Sequence, residues 1–295
     1  MTMPDAPSHA HQAPPDASPR LLFVTDLNYA AAGRRYCDED IALSGRLREH
    51  FHVALCHPRD AVAFMKDADV MLVRNTGPAA GHLDAYHAYR AQAIAWGVPV
   101  FTELTGKADQ IGKQYLIDLC AAGYPVIPTI DDPAHLGRLP ETGQYVVKPK
   151  QGADSVGMRF VTRAEASAVQ EPDVLIQPRI DFAYEVSFYY VDHDFQYALY
   201  APDPDRRWEL QPYDPSPSDL AFAQRFIDWN TIDHGIQRVD ACRTADGRLL
   251  LVELEDLNPY LSLDRTTPDR REAMLAAMVR SLTGLSGGRA PAARS

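Results

Sequence analysis

Three acidic residues at strand-like spacing carry the strongest chemical signal in this sequence: Asp240 in Arg238-Val-Asp240, and the pair in Val252-Glu253-Leu254-Glu255. The turn residues Ala245-Asp246-Gly247 lie between the two segments, so the stretch reads as a hairpin. Side chains alternate faces along a strand, and Glu253 and Glu255 therefore point the same way. A short turn brings Asp240 close to Glu253 across the ladder. Carboxylates gathered on one sheet face repel one another unless a cation sits among them. Hard oxygen donors with open positions favour Mg²⁺, which keeps waters and completes its ligand set from substrate phosphates. An acidic pair of solvent-facing strands is the alternative. It is weakened because Leu249 to Val252 is apolar enough to be buried.

A second segment, Tyr145-Val-Val-Lys148, reads as a strand that ends on a lysine. A loop with Gly152, Ser155, Val156 and Gly157 follows, and Met158 to Thr162 leads away as another strand. Such a hairpin can fold over a polyphosphate, with backbone N–H groups and one ammonium facing the anion. Glycine lets the backbone approach the oxygens closely. The order differs from the Walker-type loop, whose lysine follows the glycines and opens a helix. Taken alone, the segment reads equally well as an ordinary hairpin with a solvated lysine.

The surrounding chain must position these groups. Its 295 residues are enough for a substantial core, and the 46% hydrophobic and 23% charged content is that of a globular protein. A net charge of −11 argues against a nucleic-acid backbone or an anionic membrane as partner. No apolar run approaches the roughly 20 residues that span a bilayer. Cys37, Cys56, Cys120 and Cys242 have no metal-site spacing and read as small core hydrophobes in a reducing cytoplasm. Residues 1–19, rich in Pro, Ala, Ser and His, read as a disordered tail without a secretory signal.

From Arg20 onward strands and helices alternate. Strands are expected at Leu21–Thr25, Phe51–Leu55, Asp69–Arg74 and Val98–Phe101. Helices are expected at Asp38–His50 and from Leu83, the latter with Leu83, Tyr86, His87, Ala91 and Ile94 on its apolar face. This pattern predicts a parallel sheet covered on both faces, with ligands beyond the strands' carboxyl ends, near Asp26–Tyr36 and Arg74–Gly77. Arg34 or Arg35 there could grip a carboxylate or could lie in a solvated loop. A helix over Ala108–Ala122 carries Ile111, Tyr115, Leu116, Leu119 and Cys120 on one face, with Gly123 after its end. An antiparallel group of strands then follows from Tyr145 to Tyr200, with a helix near Ser218–Asn230. The last helix starts at the Thr267 cap and Pro268, buries Met274, Leu275, Met278, Val279 and Leu282, and ends at Gly284.

The lysine hairpin followed downstream by the acidic hairpin resembles the ATP-grasp superfamily of carboxylate–amine ligases. The likeness is to its D-alanine–D-alanine ligase, RimK-like and glutathione synthetase-like members, and it covers roughly Gly106 to Asp264. Lys113, before Gly123-Tyr-Pro-Val, matches the family's first ATP lysine, and Lys148 the second. Gly152-Ala-Asp-Ser-Val-Gly-Met158 is similar to the flexible phosphate loop, one residue shorter than usual. Leu175-Ile-Gln177-Pro178-Arg-Ile180 resembles the hinge that reads adenine through backbone groups at Pro178 and Ile180. Glu185 matches the acid that holds the ribose. Asp240, Glu253 and Glu255 match the metal triad, and Arg238 the arginine that faces the transferred phosphoryl group. Two departures are visible. Glu255 occupies a position that is usually Asn, and Asn258 could provide the amide instead; Gln177 replaces an acid at the hinge.

The resemblance implies an α/β (α+β) ATP-grasp fold preceded by a small parallel-sheet domain. It divides the chain into residues 20–105, a lid over 106–180, a metal-bearing part over 181–285 and a tail over 286–295. It also implies ATP with Mg²⁺ or Mn²⁺, a small-molecule carboxylate and an amine as substrates, and an acyl phosphate between them. A homodimer is left open. A small-molecule kinase and a non-catalytic nucleotide-binding protein are the two alternatives.

Overall fold

Residues 18–28, 30–31, 34–74, 82–151, 157–203, 206 and 209–287 are described by a computed structural model. The chain opens with β1 (Arg20–Val24), the two-residue pair β2 (Ala30–Ala31) and β3 (Arg34–Arg35), and α1 (Tyr36–Leu47). Next come β4 (His52–Cys56), α2 (Ala61–Phe64), β5 (Val70–Val73), α3 (Leu83–Trp96) and β6 (Val100–Phe101). The strands form a parallel sheet in the order β4-β1-β5-β6. Leu22, Val24, Met71 and Val73 pack on Met65, Tyr86, Tyr89 and Ala93 on one side. Leu21, Phe23, Val70 and Leu72 pack on Leu43 and Leu47 on the other. Burial on both faces is what makes these strands read as continuous apolar runs.

The buried stripe of α3 keeps Tyr86 of the expected face but not the rest of it. Tyr86, Tyr89 and Ala93 face the sheet, whereas Leu83 and Ile94 are exposed, Ile94 by 70%. Turning Tyr89 inward buries a large aromatic ring beside Tyr86.

The expected helix over 108–122 is also divided. A short 3₁₀ turn (Asp109–Ile111) and α4 (Tyr115–Ala121) are separated by Gly112 at φ +90°. That backbone conformation is one side-chain-bearing residues rarely adopt, so glycine suits the break that sets Lys113 apart. Ile111 is consequently exposed, while Tyr115, Leu116 and Leu119 are buried as expected. Gly123 closes α4 at φ +74°.

The strands after α4 divide between two sheets. β7 (Tyr145–Pro149), β8 (Arg159–Val161) and β9 (Val174–Pro178) form an antiparallel sheet in the order β8-β7-β9, with α5 (Arg163–Ser167) in its core cluster. β10 (Phe182–Val191), β11 (Asp194–Ala201), β12 (Gln211–Tyr213), β13 (Ile236–Thr244) and β14 (Leu249–Glu255) form the second, ordered β12-β11-β10-β13-β14. α6 (Pro217–Trp229) and α4 cover one face through Phe226, Ile227, Leu116 and Leu119. α7 (Pro268–Gly287) covers the other through Met274, Met278 and Leu282, which share a cluster with Phe23 and Leu72 of the parallel sheet. α7 runs on past Gly284, because Leu282 and Leu285 still pack on that core; Val279 lies only at the rim. Among the described residues no helix is long and apolar enough to cross a membrane. The four cysteines are unbridged and at least partly buried.

Candidate functional site

Register places the acids. On adjoining strands Asp240 pairs with Glu253 and Arg238 with Glu255, and Ser187 of β10 lies beside Asp240. The ladder shifts register between Asp240 and Ala241, so Val252 is the extra residue of a bulge. Strict alternation would put Leu251 on the same face as Glu253. The bulge instead lets Leu251 join Leu254 in the core while Glu253 and Glu255 turn to the opposite face. One oxygen from each of Asp240, Glu253 and Glu255 lies within 4.8 Å of the others.

The acids are also neutralised from within the protein. Arg238 donates from Nε and Nη2 to Asp240 (2.9 and 2.8 Å), from Nη2 to Glu255, and from Nη1 to the Tyr260 carbonyl at 2.9 Å. Ser187 Oγ donates to Asp240 at 2.6 Å. Lys113 makes an ion pair with Glu253 and lies 3.6 Å from Asp109. The mutual repulsion expected of the acids is therefore relieved by side-chain cations. Burial still pushes the Glu255 carboxyl up to about 7, against the pull of Arg238.

Lys148, on the middle strand of the small sheet, has its ammonium pushed down to about 8 by burial and by the nearby charge of Lys113, with Asp109 opposing. Burial raises Asp109 as well, against the pull of Lys113 and Lys148. The two expected ATP lysines thus share one acidic neighbour with the metal acids, and Asp109 is a site residue the motif reading did not single out. Asp256 is another. It is buried, accepts the backbone N–H groups of Ala108 and Gln110 (both 2.9 Å) and the Asn230 amide (3.1 Å), and so ties the Lys113 segment to the end of β14. A Cβ at Gly106 would overlap its carboxylate, and this close approach requires glycine there. Burial, with Asp109 adding, takes Asp256 up to about 7.

The remaining expected residues are placed as follows. Pro178 ends β9, buried, and Ile180 is half-buried just beyond it. The Gln177 side chain is buried and donates to Thr129 Oγ1 at 2.8 Å. Glu185 lies half-buried on β10 beside Cys242, whose thiol burial and the Glu185 charge raise to about 11. Asn258 is half-buried beyond Asp256. Gly157 takes φ +77°. Gly152, Ser155 and Val156 lie outside the described residues, as do the side chains of Arg34 and Arg35.

A second group sits at the carboxyl edge of the parallel sheet, where Asp26, His57 and His82 converge. His82 Nε2 is 2.8 Å from Asp26, and Asn28 N–H donates to the same carboxylate at 2.9 Å. Burial alone would raise Asp26, but these hydrogen bonds hold it below its ordinary value. His57 Nδ1 accepts the Arg59 N–H at 3.2 Å, which leaves its ring proton on Nε2, facing Asp26. A metal at Nε2 would need the lone pair which that proton occupies, so the group reads as a hydrogen-bonded acid.

No family model and no curated relative matches the chain by sequence. Solved structures do match along most of its length. D-cycloserine synthetase DcsG is 22% identical, with 87% of this chain and 98% of that chain covered and a TM-score of 0.67. The ATP-grasp ligase PsnB, solved with a precursor variant, Mg and ADP, is 15% identical, with 89% and 97% covered and a TM-score of 0.64. D-alanine–D-alanine ligase from Bacillus anthracis, solved with ATP, is 14% identical, with 91% and 97% covered and a TM-score of 0.60. A parallel sheet followed by a three-stranded and a five-stranded antiparallel sheet, matched at this coverage, identifies the chain as having the ATP-grasp fold.

Proposed function

We propose that this protein is an ATP-dependent ligase that joins a small-molecule carboxylate, an amino acid in the simplest case, to an amine through an acyl phosphate. The observation that carries the reading is the convergence of Lys113 and Arg238 on Asp240, Glu253 and Glu255, with Lys148 near enough to Lys113 and Asp109 to feel their charges. Three carboxylate oxygens this close are a donor set suited to Mg²⁺, with Asn258 as a further oxygen donor. When bound, the ion would neutralise charge on the β and γ phosphate oxygens.

The chain's own residues do the rest by position and charge. Lys113 and Lys148 neutralise phosphates, and Arg238 faces the γ-phosphoryl group. The backbone of the Gly152–Gly157 loop, with Ser155 and Val156, covers the phosphates. Backbone groups at Pro178 and Ile180, beside Gln177, take adenine, and Glu185 takes the ribose. The substrate carboxylate oxygen attacks the γ-phosphorus and ADP leaves. The amine nitrogen then attacks the acyl carbon, loses a proton, and phosphate leaves. Positioning and charge neutralisation supply nearly all of such catalysis.

The test is a screen of amino-acid pairs for phosphate release from ATP, followed by replacement of the amine with hydroxylamine. A ligase of this kind gives ADP and accumulates a hydroxamate, because hydroxylamine captures the activated acyl group. ADP with a stable phosphorylated product and no hydroxamate would identify a kinase. AMP as product would overturn the acyl-phosphate route and the role of Arg238.

A further inference from the structure

The segment that continues from β14 into α7 carries two groups of the site, Asn258 and the Tyr260 carbonyl that Arg238 grips. Its backbone is held by side chains from the other end of the chain. Arg74, just past the carboxyl end of β5, donates from Nη1 to the Pro259 carbonyl at 2.7 Å. Glu39 of α1 accepts the Leu261 N–H at 2.8 Å and the Leu263 N–H at 3.0 Å, one on each oxygen. Arg74 is in turn fixed by Glu39 and Asp40, both at 3.2 Å, and Thr25 Oγ1 donates to Asp40 at 2.7 Å. The side chains of Arg74, Glu39 and Asp40 are only 2%, 6% and 1% exposed.

Burying two carboxylates against one guanidinium is an expensive way to hold a segment. Desolvation pushes Glu39 up to about 7 in spite of Arg74 and two N–H donors. Apolar residues of similar volume serve as well or better where stability alone is at stake. What the charged set supplies is direction. Three successive odd-numbered backbone groups, at 259, 261 and 263, are aimed at fixed partners, and the intervening Tyr260 carbonyl is thereby aimed at Arg238. Of the partners of Arg238, Asp240 and Glu255 are themselves metal candidates, whereas the Tyr260 carbonyl is not.

We propose that Glu39 and Arg74 are positioning residues for the metal end of the site, setting Arg238 and Asn258 from the N-terminal sheet domain through segment 257–263. The inference rests on the reading of Arg238, Asp240, Glu253 and Glu255 as the phosphoryl and metal site. A divalent ion and the nucleotide phosphates therefore bind together only when the N-terminal domain holds this segment in place.

The experiment measures ADP affinity by calorimetry, with Mg²⁺ and in EDTA, for the wild type, Glu39→Gln and Arg46→Met. Glu39→Gln keeps the size and one acceptor oxygen but loses the second. Arg46 sits on the same helix and, among the described residues, pairs with the exposed Glu49 and Glu272 away from this segment, which makes it the control. In Glu39→Gln the affinity gained from Mg²⁺ should fall by about tenfold or more, as for residues that orient metal ligands. ADP affinity in EDTA should stay within about twofold, and amide exchange at Leu261 or Leu263 should quicken. Glu39→Asp, which keeps the charge and withdraws the oxygens, should act in the same direction and serves if the first variant does not fold. Faster exchange with an unchanged Mg²⁺-linked gain overturns the proposal. An equal loss of affinity in EDTA also overturns it, since that is a general structural effect. A wild type with no Mg²⁺-linked gain would instead remove the metal-site reading itself.

Discussion

Asp240, Glu253 and Arg238 stand on two neighbouring strands of a five-stranded sheet with a core cluster on each face, whereas Lys148 stands on the middle strand of a three-stranded sheet served mainly by one. The acids are also bonded to other elements, through Arg238 to the Tyr260 carbonyl, through Ser187 to β10 and through Lys113 to the segment before α4. Among the described residues the Lys148 side chain makes no hydrogen bond or ion pair and feels its neighbours only as charge. The acidic cluster is thus built into the fold, while the lysine is presented by it. Loss of an acid should cost stability and binding together, and loss of the lysine should cost binding alone.

The largest expected effect is that of Asp240→Ala. It leaves Arg238 without its two-pronged partner, and removing one member of a buried pair costs about 3 kcal/mol or more, less here because Asp240 retains 18% side-chain exposure. The affinity gained from Mg²⁺ should fall by about 100-fold, the upper range for disturbed metal sites. Urea unfolding and calorimetry measure the two. An unchanged unfolding midpoint would break the comparison at its stronger side.

Lys148→Ala should weaken ATP binding by about 10- to 100-fold, the range of a lost charge-assisted hydrogen bond. Its unfolding free energy near pH 7 should hold or rise, because the variant removes a buried charge that the fold disfavours. A loss of stability as large as that of Asp240→Ala would show the lysine to be as embedded as the acids.

The two regions should also respond oppositely to pH. Glu255 and Asp256, with ordinary values of 4.5 and 3.8, are raised to about 7 in the folded protein. Between those limits the folded state holds protons the unfolded state has released, so stability falls as pH rises from about 4 to about 7. Lys148 is lowered from 10.5 to about 8, and in that interval the unfolded state holds the extra proton, so stability recovers as pH rises. Denaturation of the ligand-free protein at pH 5, 7.5 and 9.5 should show a minimum of stability near the middle value. Asp256→Asn should flatten the acid limb only. A monotonic rise from pH 5 would contradict the assignment of Glu255 and Asp256.

The smallest expected effect is chemical. A lysine at about 8 is roughly half neutral at pH 8, against under about 1% for an ordinary one. Limited acetylation followed by peptide mapping should modify Lys148 a few-fold ahead of exposed Lys66, and Mg²⁺ with ATP should abolish the preference. Equal labelling would mean that burial shields the amine more than it activates it.

Much of this architecture follows from local rules that the sequence states openly. Period-two alternation is enough to put Glu253 and Glu255 on one face of a hairpin whose other strand carries Asp240, whereas the regular register from the Asp-Gly turn would have set Asp240 opposite Val252. The lysine at the end of Tyr145–Val147, and Gly123 after α4, likewise need only neighbouring residues to be read. Tertiary contacts decided the rest. Which stripe of α3 is buried depended on the sheet it meets, so Tyr86 stayed on the buried face while Tyr89 and Ala93 took the place of Leu83 and Ile94. The bulge at Val252, which brings Glu253 opposite Asp240, depended on the core that takes Leu251 and Leu254. Asp109, Asp256, Glu39 and Arg74 look like ordinary charges in the sequence, because their partners lie as far as 224 positions away. A carboxylate's role is set by what surrounds it once water is gone, and that environment does not exist until the chain has folded.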